Sequence, residues 1–368
     1  MEIALQAALL GKDRAVRAMH WGGGTPTFLL EEDLRRLAKM FRDAFDFQPG
    51  AEVAIEIDPR SCGAERMHVL AEAGFNRASF GIQDFDPDVQ RAVNRIQPFE
   101  LTRDAIVAAR ALGFKSVNAD LIYGLPKQTV ESFSRTVERV LDLRPDRIAL
   151  YSYAHLPARF KPQIRIVSAE LPSAATKLSI LTRAIERFNA AGYVYIGMDH
   201  FALPDDDLAR AQRNGTLIRN FQGYSVGPDT DLLGFGVSAI AKVGATYSQN
   251  AKDLNGYYGA LDRGALPIVR GYTLTADDVV RRSVIGALMC QFMLPFDSIE
   301  TAHLVDFNAY FKPELQALRE FADLGLVDIT DDCIVVTRRG RYFVRAIAAL
   351  FDRHLQADHE RVAYSRII

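Results

Sequence analysis

The chain has 368 residues, 49% hydrophobic and 24% charged, the balance of a globular protein with one large core or a core plus a smaller domain. Its net charge of −2 creates no basic field to draw nucleic acid or an anionic membrane. No apolar run approaches the ~20 residues of a membrane span, and Glu2 and Gln6 interrupt the opening MEIALQAALL, so no signal peptide is read and a cytoplasmic location is expected.

Residues 1 to about 200 read as repeated strand–helix units. A short apolar strand at 16–21 runs into three consecutive glycines at 22–24. The segment 29–47 has helical spacing, with Leu30, Leu34, Leu37, Phe41 and Phe45 on one face. EVAIEID (52–58) alternates as a strand and stops at Pro59. Helix is expected at 64–73, strand at 77–83, helix at 101–112, strand at 117–123, helix at 130–143, strand at 147–153, helix at 174–191 and strand at 193–198. Such alternation predicts a parallel sheet with crossover helices, either a barrel or an open doubly wound sheet. The strand faces favour a barrel: Glu52, Ala54, Glu56 and Asp58 share one face, Asn118 and Asp120 another, Ser79, Gly81 and Gln83 a third. Strands buried on both sides would be apolar throughout.

From about 205 the character changes. Asp205 to Asp207 and the stretch 223–236 read as loop-rich and could cover the mouth of the sheet. From Asp277 onward helices are expected, then a small hairpin at 325–337 and a helix to about 355, a winged-helix-like arrangement read as a packing or lid domain. The division this predicts is 1–200, 201–275 and 276–368.

Glycine is costly in entropy and supplies no packing, so GGG after a strand and before a helix predicts close approach of a ligand to the backbone. Its spacing is neither that of a dinucleotide-binding turn nor of a P-loop. Glu56, Gln83 and Asp120 stand near the carboxyl ends of their strands, where a parallel barrel gathers a polar site. Each singly also has a plainer reading, such as a charge paired inside the barrel. Arg95 could pair with a ligand carboxylate or a site acid, the plainer reading being a solvated surface arginine. The seven histidines show no metal-binding spacing, and His155 and His200 are the two to watch. Cys62, Cys290 and Cys333 are scattered without a C-x-x-C, which argues against a disulfide framework and a local zinc or iron–sulfur site and reads as ordinary thiols.

Taken together, HWGGGTPT (20–27), EVAIEIDPR (52–60), RASFGIQDFDPDVQRAVNR (77–95), NADLIYGLPKQT (118–129), YSYAHLP (151–157), GMDHFALPDDDL (197–208) and RNFQGY (219–224) are far more specific than any one motif. In this order, and through to the terminal YSRII, the chain resembles the oxygen-independent coproporphyrinogen III oxidases, radical S-adenosylmethionine (SAM) enzymes of haem biosynthesis. The family's haem-chaperone branch differs from this chain at RNFQGY.

The resemblance implies a partial (β/α)₆ barrel, a [4Fe–4S] cluster chelated by SAM, a second SAM site, and oxidative decarboxylation of coproporphyrinogen III to protoporphyrinogen IX. It also implies an electron donor, an electron acceptor and a monomer. Carried over by motif, Gly23 and Glu56 would contact the cluster-bound SAM; Gly24, Thr25, Gln83, Arg95, Asp120 and Ala154 would surround the second, and Ile240 in GFGVSAI would complete the adenosyl region. Arg219 is a candidate partner for a substrate propionate, and no catalytic residue is assigned.

One departure stands against the family pattern. The family's first strand and its C-x-x-x-C-x-x-C cluster loop do not occur in these residues, and MEIALQAALL looks like the helix that follows them. No metal ligands are therefore expected, and the strand at 16–21 is expected at an edge. A polypeptide beginning here would be an inactive shortened form of the oxidase, with a non-catalytic SAM- or porphyrin-binding relative as the alternative; a nucleic-acid-binding winged helix ranks below both.

Overall fold

The computed structural model describes residues 1–11 and 14–358, so the terminal YSRII lies outside the described residues. These residues form two compact units.

The first unit, 7–195 with 199–206, holds α1 (Glu2–Leu10) from its sixth residue, β1 (Ala15–Trp21), α2 (Glu31–Ala44), β2 (Asp46–Ile57), α3 (Met67–Glu72), β3 (Arg77–Gln83), α4 (Pro87–Ala92), α5 (Phe99–Ala111), β4 (Ser116–Tyr123), α6 (Val130–Leu143), β5 (Arg147–Ser152) and α7 (Ala174–Ala190). Strands β1 to β5 pair in parallel in sequence order, with β1 at the edge. The alternation written in the sequence decides what each face meets. Val53, Ile55 and Ile57 of β2, Ala78, Phe80 and Ile82 of β3, and Val117, Ala119 and Leu121 of β4 are buried in one core with Leu34, Leu70, Ile106 and Phe133 of the helices. The intervening Glu56, Ser79, Gly81, Asn118 and Asp120 occupy the other face.

The parallel run ends at β5. Beyond β6 (Val194–Gly197), Met198 and Asp199 both have positive φ, 40° and 75°, the signature of a tight hairpin turn. The chain reverses, and β7 (His200–Ala202) pairs antiparallel with β5, giving a seven-stranded order β1-β2-β3-β4-β5-β7-β6. The helix expected over 29–47 is shorter. Phe45 turns extended and β2 begins one residue later, while Leu30 stays 64% exposed ahead of the first turn.

The second unit contains the first six residues, 196–198 and the residues from 207. Where a loop-rich stretch was expected, α8 (Asp207–Arg213) is followed by the hairpin β8 (Leu217–Asn220) and β9 (Gly223–Val226). An antiparallel sheet of β10 (Ile240–Val243), β11 (Thr246–Asn250) and β12 (Ile268–Thr273) follows, with α9 (Leu254–Asp262) between its last two strands. Buried Glu2 ties the start of the chain to this unit, accepting from Asn250 Nδ2 at 2.7 Å, the Gly236 N–H at 2.8 Å and the Tyr257 hydroxyl at 2.6 Å. Next come α10 (Ala276–Gln291), β13 (Met293–Pro295), α11 (Phe296–His303), α12 (Phe307–Tyr310), α13 (Lys312–Asp323), β14 (Val327–Ile329), β15 (Cys333–Val336), α14 (Val344–Ala349) and α15 (Arg353–Asp358). The expected wing is present and has a third strand, β13, which completes a sheet of order β13-β15-β14. The single last helix is two short ones. Among the described residues no helix is long and apolar enough to cross a membrane.

The ends of β3 and β4 are joined by a buried polar knot. Gln128 accepts from the Gly124 and Leu125 N–H groups at 2.6 and 3.0 Å and donates to the Ile122 carbonyl at 2.8 Å and Asp84 Oδ2 at 2.6 Å. Thr136 donates to the other Asp84 oxygen at 2.5 Å. Removing one member strands several buried polar groups at once. Gln128→Ala is expected to cost about 3 kcal/mol in urea denaturation, and a loss under about 1 kcal/mol would show the knot to be dispensable.

Candidate cofactor-binding site

Each glycine of the run has its own reason. β1 delivers Trp21 into the core, where its ring meets Phe75 edge-on at 4.9 Å. At Gly22 a Cβ would lie 2.5 Å from both Glu56 Oε1 and His20 Nε2. Gly23 and Gly24 adopt φ of 75° and 68°, with nothing within 4 Å of an added Cβ, so there the backbone conformation and not space calls for glycine. The turn brings the Gly23 N–H to 3.2 Å from Glu56 Oε2, while His20 Nε2 stands 3.2 Å from Oε1. Burial pushes the Glu56 pKa up, but the His20 hydrogen bond and charge and the Gly23 N–H prevail and hold it below the ordinary value.

Two strands over, Asp120 has the opposite fate. Ser79 Oγ donates to Oδ2 at 2.6 Å, and Asn118 Nδ2 donates at 2.8 Å both to Oδ1 and to Ser79 Oγ. Burial nevertheless pushes its pKa up to about 6, with the Glu56 charge adding to the rise. The β2–β3–β4 register explains the grouping: Glu56 pairs with Ser79, Ser79 with Asn118, and Gly81 with Asp120.

A third cluster closes the strand ends. Arg95 donates to Asp58 Oδ2 at 3.1 Å and to the Gly81 carbonyl at 2.7 Å. Its head is half-buried instead of solvated, and burial lowers its pKa against the pull of Asp58. Asp58 is raised by burial but brought below its ordinary value by Arg60 and Arg95. Gln83, at φ 65°, brings its amide within 3.0 Å of where a Gly81 Cβ would stand. Arg95 Nε and Asn118 Oδ1 are buried without a hydrogen-bond partner among the described residues.

The fold thus brings Gly23, Gly24, Thr25, Glu56, Gln83, Arg95 and Asp120 to strand ends of one unit, with Ala154 just past β5, its carbonyl accepting from Gln163 at 3.0 Å. Ile240, first residue of β10, and Arg219 on β8 belong to the other unit. Arg219 lies 5.4 Å over the Tyr224 ring, its Nε buried and without a hydrogen-bond partner among the described residues. Three contributors escaped the sequence reading of single residues: His20, the partner of Glu56; Asp58, the partner of Arg95; and the Ser79 hydroxyl. His20 was legible only as the residue before the glycine run. Of the watched histidines, His155 sits between Tyr153 and Ser168, each at 3.2 Å, and His200 packs edge-on against Tyr151.

The cysteines do not fit an iron–sulfur cluster. Cys62 and Cys290 are buried, burial pushing their thiols up to about 11 and 12, and they belong to different units. Among the described residues no group of three potential metal ligands converges.

Two outcomes follow. Because the folded pKa of Asp120 lies above its ordinary 3.8, its contribution is intact below about pH 4 and lost as pH rises through about 6. Asp120→Asn should therefore gain on the wild type by on the order of 2–3 kcal/mol between about pH 4.5 and 7.5 in urea melts; a pH-independent gap would refute this. A polypeptide of residues 1–368 alone, reconstituted anaerobically with iron and sulfide, should develop no cluster absorbance and cleave no SAM.

Known proteins bear directly on this geometry. The Radical SAM superfamily matches residues 1–140 and the HemN C-terminal domain matches 274–343. The oxygen-independent coproporphyrinogen III oxidase of Pseudomonas aeruginosa is 50% identical over 369 residues, covering 100% of this chain and 80% of that protein. Its Escherichia coli counterpart is 47% identical over 367 residues, with the same coverage. The solved structure of the E. coli coproporphyrinogen III oxidase, described as a radical SAM enzyme, superposes at a TM-score of 0.94 and 48% identity, over 96% of this chain and 81% of that one. The chain belongs to the oxygen-independent coproporphyrinogen III oxidases, oxidoreductases of the radical SAM superfamily.

Proposed function

We propose that this chain forms the SAM- and tetrapyrrole-binding body of an oxidase that converts coproporphyrinogen III to protoporphyrinogen IX, each of two propionates giving up a hydrogen atom, one electron to an acceptor, and CO₂ to become a vinyl group. The observation that carries the reading is Glu56, a carboxylate kept ionised by His20 and the Gly23 N–H at the open end of a parallel sheet. SAM fits such a site because it bears an ammonium, a sulfonium, ribose hydroxyls and a carboxylate. When bound it supplies the adenosyl group that takes the substrate hydrogen.

Glu56 receives the ammonium of one SAM, and the left-handed turn at Gly23 lets its methionyl part lie against the backbone. Gly24, Thr25, Gln83, Arg95, Asp120 and Ala154 surround a second SAM. There the unpartnered Arg95 Nε suits a carboxylate and Asp120 suits hydroxyl donors or a cation, which would draw its pKa down. Ile240 packs on the adenosyl region, and Arg219 pairs with a propionate. Residues 1–200 serve as the barrel, 201–275 as its extension and substrate cover, and 276–368 as the helical domain. The protein acts as a cytoplasmic monomer with an electron donor and an acceptor. The non-catalytic alternative is not favoured, since the relatives that span the whole chain are named as oxidases.

Isothermal titration checks the cofactor assignment. Glu56→Gln should weaken SAM binding about tenfold or more, and unchanged affinity would remove Glu56 from the site. Arg219→Ala should weaken coproporphyrin III binding by a similar factor while sparing SAM; equal affinity would discard the propionate contact.

A further inference from the structure

The carboxyl ends of β4 and β5 open onto a cleft that the assignments above do not use. Gly124 follows β4, Tyr153 and His155 follow β5, and Leu171, Pro172 and Lys177 come from the loop before α7 and its first turn. Among the described residues no carboxylate lines it. Lys177 reaches in half-buried and donates to the Tyr153 carbonyl at 3.1 Å, its one polar partner among the described residues. Burial lowers its pKa. Room for its stem depends on Gly124: a Cβ there would lie 2.3 Å from Lys177 Cε, and the residue is held at φ +87°. Opposite, the Tyr153 hydroxyl and Ser168 Oγ each stand 3.2 Å from a ring nitrogen of His155, fixing the imidazole in place.

An ammonium partly stripped of water, with one neutral acceptor and unused donors, is electrostatically incomplete. An anion in the cleft completes it, and the apolar surfaces of Leu171 and Pro172 suit the methylenes of an aliphatic acid. We propose that this cleft is a carboxylate subsite in which Lys177, flanked by His155, anchors the acid group of a ligand bound at the strand ends. The proposal rests on the function given above, whose two ligands both carry the required group: a propionate of the tetrapyrrole that does not react, or the methionyl carboxylate of SAM.

The test titrates the purified chain separately with coproporphyrin III, by fluorescence, and with SAM, by calorimetry. Wild type, Lys177→Met and Lys177→Arg are compared, with thermal melts confirming that each folds. Lys177→Met should weaken one ligand about tenfold or more and leave the other unchanged, and Lys177→Arg should stay within about threefold of wild type for the same ligand. The ligand that weakens identifies the source of the carboxylate. Unchanged binding of both by Lys177→Met overturns the subsite alone, as does an equal loss in Lys177→Arg, because a cation is then not what matters. A wild-type chain that binds neither ligand overturns the subsite and the proposed function together.

Discussion

Two carboxylates on the inner face of one parallel sheet set the conditions for the rest of the molecule. Asp120 feels the Glu56 charge, yet their neighbours drive the two apart: His20 and a glycine N–H hold Glu56 below its ordinary pKa, and burial beside neutral donors pushes Asp120 up to about 6. Paired acids with opposed environments are a usual means of dividing roles between like groups. Here the division follows from where each strand ends. Glu56 lies beside the glycine turn and accepts from the Gly23 N–H, whereas Asp120 accepts from the Ser79 hydroxyl and the Asn118 amide.

That arrangement costs stability, and the fold offsets it on the opposite face. The strands that carry Glu56, Ser79 and Asp120 inward carry Ile55, Phe80 and Leu121 outward, each wholly buried against helices. The knot of Asp84, Gln128 and Thr136 then fastens the ends of β3 and β4, so the polar face is held by packing and hydrogen bonds outside it. Rigid strands with a polar lining present ligands with donors already placed, which lowers the ordering cost of binding.

Chemistry of the cysteines stands apart from this. Each buried thiol is made harder to ionise by its surroundings, the reverse of what a cluster ligand needs. This chain spans 80% of the length of the curated relatives it matches.

Local pattern determined a good deal by itself. Strict alternation in β2, β3 and β4 named both the core face and the polar face, and helical spacing ending at glycines located α3 and α5, because these signals act over a few residues. Motif order determined the family. Tertiary structure alone decided the rest. Only the register of three strands shows Ser79 between Glu56 and Asp120, and only the folded turn puts His20 against Glu56. The hairpin at Met198 and Asp199, the third strand of the wing and the position of Lys177 over Gly124 likewise depend on contacts between distant segments. Such contacts have no period in the sequence. A residue's neighbours along the chain report its face, whereas its neighbours in space set its charge and partners.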